Sequence, residues 1–219
     1  QGLSMILIDV GNTNIVFAVS SNNLIKRIIR INTNQNKNKL KTLINSIIIN
    51  YSKIKIIDNR KVAIISSVVP SLNSMIVNIL KKNLINVFIF KARDIKPFLK
   101  IKYNLIEIGA DRLANSMAII NNKINNSIVI DFGTATTFEV IKNNIFLGGI
   151  IFPGINLSKN TLINQASLLK NTEVKKTKKV VANNTKQSIQ SGFYWGYLLA
   201  INGLIKKISK ENKFKPKII

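Results

Sequence analysis

Two stretches of this chain repeat one pattern: an apolar run, an aspartate, a small polar turn and a second apolar run. The first is Met5-Ile-Leu-Ile-Asp9-Val-Gly11-Asn12-Thr13-Asn14, followed by Ile15-Val-Phe-Ala-Val19. The second is Ser127-Ile-Val-Ile-Asp131-Phe-Gly133-Thr134-Ala135-Thr136-Thr137, followed by Phe138-Glu-Val-Ile141. Short β-branched runs around a tight polar turn predict a β-hairpin in each place. Leu24–Ile31 extends the first hairpin to a three-stranded meander. Helical spacing of Leu40, Leu43, Ile44, Ile47 and Ile48 predicts a helix over 39–51. Lys61–Val69 reads as a strand buried on both faces and ended by Pro70, with Ser71 capping a helix that carries Leu72, Met75, Ile76, Ile79 and Leu80. Val87–Phe90 is a further strand. The order is β-β-β-α-β-α-β, and the hairpin at 127–141 restarts it. Ile145–Phe152 then supplies a third strand, Asn156–Leu169 a helix, and 171–179 a mobile loop. A long helix over 185–210, broken or closely packed near Gly192 and Gly196, leads to a strand at 216–219.

Composition narrows the chemistry. With 219 residues and 46% hydrophobic content, the chain can bury a real core, in one large domain or two small ones. No apolar stretch reaches the roughly 18 residues a membrane span needs, so no membrane partner is expected. Gln1–Ser4 read as a cloning remnant ahead of a native Met5. No signal peptide is apparent in the pattern, so a cytoplasmic location is expected. Cysteine and histidine are both absent. That removes disulfides, thiol catalysis, imidazole bases and thiolate or imidazole metal sites. Acid–base chemistry is left to carboxylate, Lys or Tyr, and there are nine Asp plus Glu against 33 Lys plus Arg. The net charge of +24 would suit nucleic acid. However, the lysines are scattered through Asn- and Ile-rich runs without interleaved aromatics, so nucleic acid is not the expected partner. A field of this sign does attract small anions such as ATP.

The turns themselves carry the sharpest signal. A polar turn offers backbone N–H groups and hydroxyls to phosphate oxygens, and its carboxylate can hold hydrated Mg²⁺. Two such turns about one domain length apart suggest a duplicated fold clamping a nucleotide triphosphate between its halves. Ile108-Gly-Ala-Asp-Arg-Leu-Ala114 adds an acid and a base at the opening of a helix. Gly148-Gly-Ile-Ile-Phe-Pro-Gly154 permits close backbone approach, and taken alone reads as a bulged strand and turn. Thr185 and Ser188, taken alone, read as helix-capping hydroxyls.

In this order these pieces, with Ser66-Ser-Val-Val-Pro70 and Thr185-Lys-Gln-Ser-Ile-Gln-Ser-Gly192, resemble the type III pantothenate kinases. The resemblance runs from Met5 to the end of the chain. It implies an α/β fold of duplicated ribonuclease H-like domains, the architecture of the actin-like ATPase superfamily, each with a mixed five-stranded sheet and flanking helices. The domains would span 5–107 and 108–219. It implies ATP-dependent phosphorylation of pantothenate, the first step of coenzyme A biosynthesis. Asp111 would be the catalytic base. Tyr103, Gly109, Ala110 and Arg112 would bind pantothenate, joined by Thr185 from a neighbouring subunit of a homodimer with a shared site. Asp9, Gly11, Asn12, Thr13 and Asn14 would form the first phosphate turn, with Asp9 near Mg²⁺. Gly133 and Thr134 would form the second, with Asp131 beside a monovalent cation, potassium or ammonium.

This sequence departs from the family's pattern in two places. No proline stands between Tyr103 and Gly109. The family also continues past a strand like Lys217–Ile219 into a Thr-Gly-Gly turn and a helix that hold adenosine, and this sequence stops short of it; if that segment is absent from the protein, nucleotide binding is expected to be poor. Two alternatives remain open at this point: another small-molecule phosphotransferase of the superfamily, and a non-catalytic regulator that kept the fold.

Overall fold

The computed structural model describes residues 5–21, 24–52, 61–165 and 172–219. They form ten strands and six helices in the order β1 (Met5–Val10), β2 (Asn14–Ser21), β3 (Leu24–Asn32), α1 (Lys37–Ser52), β4 (Val62–Ser67), α2 (Pro70–Lys82), β5 (Asn86–Ile89), α3 (Ala92–Ile95), β6 (Lys100–Ile101), α4 (Ala110–Asn121), β7 (Asn126–Phe132), β8 (Ala135–Lys142), β9 (Ile145–Pro153), α5 (Ile155–Gln165), α6 (Thr185–Glu211) and β10 (Lys217–Ile218). Two sheets result, each of five strands and each mixed, as the α/β reading expects.

The first sheet runs β3-β2-β1-β4-β5. Alternation sets its faces: Ile6, Ile8 and Val10 of β1 are buried, while Asp9 between them is exposed. The buried side packs with Ile15 and Phe17 of β2 and Ile65 of β4 against Leu40, Ile44 and Ile48 of α1 and Ile76 and Leu80 of α2. Tyr51 closes this core, donating its hydroxyl to the Phe17 carbonyl at 3.3 Å. Burial pushes that phenol above its ordinary pKa, so it stays a donor.

The start of α2 differs from expectation. Val69 is the N-cap, Pro70 is already helical, and Ser71 makes no cap. Proline suits the first helical position because its missing N–H would have had no partner there.

The second sheet runs β10-β7-β8-β9-β6. Its first four strands in chain order after α4 repeat the arrangement of β1–β4, with two antiparallel pairs and then a parallel strand on the far side of β7. The fifth place is filled differently. The first sheet ends on β5, parallel to β4, whereas the second takes β6 on its opposite edge, parallel to β9. Asn143 and Asn144, both in the left-handed region, turn β8 into β9. Ile128, Phe138 and Val140 pack beneath Ile201, Leu204, Ile205 and Ile208 of α6.

Helix α6 is unbroken through Gly192, Gly196 and Gly203, and a Cβ at any of the three would meet nothing within 4 Å. The expectation of a break or close packing at Gly192 and Gly196 is therefore corrected. α5 matches the expected helix to Gln165, and its expected end at Leu169 lies outside the described residues, as do Gln1–Ser4 and Asn171.

The chain divides into two compact units, Gln1–Phe98 with Asn104–Met117, and Leu99–Tyr103 with Ala118–Ile219. The expected boundary at 107/108 thus differs from the packing: the first two turns of α4 stay with the first unit, where Gly109 lies against Val68.

Candidate active site

The first turn is held at both ends. Gly11 N–H donates to the Asn14 carbonyl at 2.9 Å, and the Gly11 carbonyl accepts the Thr33 hydroxyl at 2.8 Å. Thr33 N–H donates to the Thr13 carbonyl, also at 2.9 Å, so two strands fix the turn's shape. Asn12 and Thr13 are exposed at its tip. Asp9 lies near the carboxyl end of β1, in register with Ser66 at the corresponding end of parallel β4. The carboxyl ends of parallel strands are where open α/β sheets take ligands.

In the same unit, Asp111 is the second residue of α4. Its Oδ1 accepts the Arg112 N–H at 2.8 Å, which fixes the carboxylate at the positive end of the helix. A Cβ at Gly109 would meet that same Oδ1, displacing the carboxylate from this position, and would crowd Val68 at 3.3 Å. Arg112 is buried, at 6% exposure, and Ser116 locks its carbonyl with a 2.9 Å hydrogen bond.

In the other unit, Gly133 N–H donates to Ala135 at 3.0 Å, and Gly154 N–H donates to Thr134 at 3.2 Å. The Pro153–Gly154 bend therefore lies directly on the second turn, and a Cβ at 154 would run into both the Gly133 and Thr134 carbonyls. Asp131 is exposed at the end of β7, paired across the sheet with Thr137. Tyr103 packs edge-on to Phe146 with ring centroids 6.2 Å apart, and its ring lies over Gly148. Thr185 opens α6 but does not cap it. Asn184 is the cap, accepting the Gln187 N–H at 3.0 Å, while Ser188 bonds back to the Asn184 carbonyl at 2.9 Å. The capping alternative for Thr185 is thus excluded, and its side chain is exposed.

A sequence profile of the type III pantothenate kinases matches residues 5–207. The chain belongs to this family. Among its relatives, the type III pantothenate kinase of Pelagibacter ubique is 39% identical over 215 residues, covering 96% of this chain and 84% of that protein. That of Ehrlichia canis is 38% identical over 220 residues, covering 95% and 81%. Among solved structures, a Campylobacter jejuni protein described as a Baf family transcriptional activator superposes with a TM-score of 0.55 at 23% identity, over 97% of this chain and 80% of that one. The ethanolamine utilization protein EutJ of Carboxydothermus hydrogenoformans gives 0.51 at 8% identity, over 98% and 75%. These two likenesses speak to the fold alone.

In this pantothenate kinase chain, three residues beside the turns had no role in the sequence reading. Ser66 has a buried hydroxyl with no hydrogen-bond partner among the described residues, next to Asp9 in register. Thr137 has the same, next to Asp131. A buried hydroxyl without a partner calls for a specific explanation, such as an ordered water or ion. Their signal in sequence was only a hydroxyl within or at the end of a strand. Tyr197 of α6 is the third. Its hydroxyl is 2.6 Å from the Ser158 hydroxyl and donates to the Pro153 carbonyl at 3.1 Å, which braces the bend on the second turn. Nothing local to Tyr197 foretells that contact.

Among the described residues no cluster of three acidic side chains could hold a metal by itself. One or two carboxylates sharing a divalent ion with phosphate oxygens is the usual arrangement for Mg²⁺.

Proposed function

We propose that this chain transfers the terminal phosphate of ATP to pantothenate, with Asp111 positioned to accept the proton of the reacting hydroxyl. The observation that carries the reading is the Asp111 carboxylate, held over a glycine at a helix start within a chain that belongs to the pantothenate kinases. Phosphoryl transfer to an alcohol asks mainly for positioning, charge neutralisation and one base near the hydroxyl. Asp9, Gly11, Asn12, Thr13 and Asn14 would bind phosphate oxygens at one turn, and Gly133 and Thr134 at the other. Asp9 would hold Mg²⁺, whose chemistry is to neutralise phosphate charge. Asp131, with Thr137 beside it, would hold the monovalent cation. Gly109, Ala110, Arg112 and Tyr103 would line the pantothenate site.

A homodimer contributing Thr185 to its neighbour accords with the outer side of α6, where Leu199 is 66% exposed and the glycines leave open space. Among the described residues no helix is long and apolar enough to cross a membrane.

The test is ATP turnover with pantothenate, Mg²⁺ and either potassium or sodium. Potassium-dependent phosphorylation of pantothenate is expected, and its absence from a folded dimer would sink the reading. Thr185→Ala should raise KM for pantothenate several-fold, the scale of one lost hydrogen bond, without lowering Tm. Asn184→Ala should instead lower stability by about 1 kcal/mol, because it removes the cap.

A further inference from the structure

The run Lys175-Lys-Thr-Lys-Lys179 has no part in the chemistry above. It lies ahead of α6 in a stretch without helix or strand, and it is latched to that helix. Trp195 Nε1 donates to the Thr177 hydroxyl at 3.1 Å, the Ser191 hydroxyl donates to the Val180 carbonyl, and the Lys176 ammonium stands 6.0 Å above the Trp195 ring. Loop and helix flank a half-open cleft of about 600 Å³ lined by Lys175, Lys176, Lys178, Lys179, Gln187 and Gln190, among others. No acidic side chain stands among the described lining residues.

Four ammonium groups on a solvated loop would mean little by themselves. Gln190 is different. It is 5% exposed, and its Nε2 is a buried donor with no hydrogen-bond partner among the described residues. A buried amide donor left unbonded destabilises a fold unless something supplies an acceptor. The first turn of α6, with the positive end of its dipole, belongs to the same wall through Gln187.

We propose that this cleft is a binding site for a small polyphosphate-class anion, separate from the two phosphate turns. Four lysines match several negative charges rather than a single carboxylate, since each acts as a point charge towards phosphate oxygen. The half-open cleft has room for a compact ligand. One phosphate oxygen would accept from Gln190 Nε2, and the lysines would neutralise the remainder.

Trp195 is the sole tryptophan of the chain, so its fluorescence reports the site directly. The experiment titrates inorganic tripolyphosphate into the full chain without pantothenate or nucleotide, followed by Trp195 emission and calorimetry. It therefore succeeds or fails independently of the kinase assay. A saturable change that weakens as salt rises is expected. Gln190→Leu should weaken binding about tenfold while raising Tm, because it removes the unbonded donor. Lys178→Ala with Lys179→Ala should weaken binding at least as much, and does not depend on a core substitution folding. Unchanged affinity in both variants would overturn the proposal by placing the anion elsewhere. So would a short DNA duplex that binds more tightly than tripolyphosphate and is weakened by the same substitutions, since the lysines would then belong to a nucleic-acid surface.

Discussion

Asp111→Asn should lower kcat for pantothenate phosphorylation by about 10² or more, the usual scale for a lost general base. The chain contains no histidine to take over the proton. The carboxylate's placement depends on two neighbours: Arg112 N–H, which its Oδ1 accepts at 2.8 Å, and Gly109, which leaves it room. An asparagine Oδ1 can accept the same backbone hydrogen bond, so α4 should start unchanged. Stability should stay within about 0.5 kcal/mol of the parent. Steady-state kinetics beside a thermal melt separate the two effects. Near-normal turnover in a normally stable variant would remove Asp111 from the proton transfer and leave it an orienting role at most.

The second large effect is expected at a position with no ionisable group. Gly154→Ala places a methyl against the Gly133 and Thr134 carbonyls, with a Cβ only 2.6 Å from the Gly133 oxygen. Both obstacles are backbone, so no side chain can swing aside. Nor can the bend retreat easily. Gly154 N–H is bonded to Thr134 at 3.2 Å, and the Tyr197 hydroxyl holds the Pro153 carbonyl at 3.1 Å from the other side. Overpacking of this kind typically costs about 1–3 kcal/mol, and the strain falls on the turn proposed to bind phosphate. Urea unfolding should show that loss, and ATP turnover should fall by at least about tenfold on the scale of a misplaced reacting group. A variant normal in both would mean that the second turn tolerates displacement and is not a fixed phosphate site.

The two hairpins were legible because alternation and a polar turn are local properties. Ile6, Ile8 and Val10 are buried as their spacing requires, and Asp9 breaks the stripe where the chemistry is expected. Helices α1 and α2 followed from apolar spacing in the same way. What sequence missed lies in contacts between distant segments. β6 is two residues long and exists only through its pairing with β9. The boundary at 107/108 missed the packing because Gly109 meets Val68, some forty positions earlier in the chain. Gly192 and Gly196 were misjudged because glycine suggests either a break or a close neighbour, and neither is present. Among the residues proposed for the site, Asp9, Asp111 and Asp131 could be singled out from motif chemistry. Ser66, Thr137 and Tyr197 were not, because a hydroxyl becomes informative only when its surroundings are known.

Helix α6 keeps three glycines at interior positions where a methyl would touch nothing. Each forfeits about 0.8–1.0 kcal/mol of helix propensity relative to alanine. The isolated subunit thus holds a reserve of rigidity that three small substitutions would release. Gly192→Ala, Gly196→Ala and Gly203→Ala should each raise Tm by a few degrees in a lone subunit. If the same changes instead lower the stability of the assembled protein, the methyls have met a neighbour that one chain does not supply, and the glycines are spacing devices for that encounter.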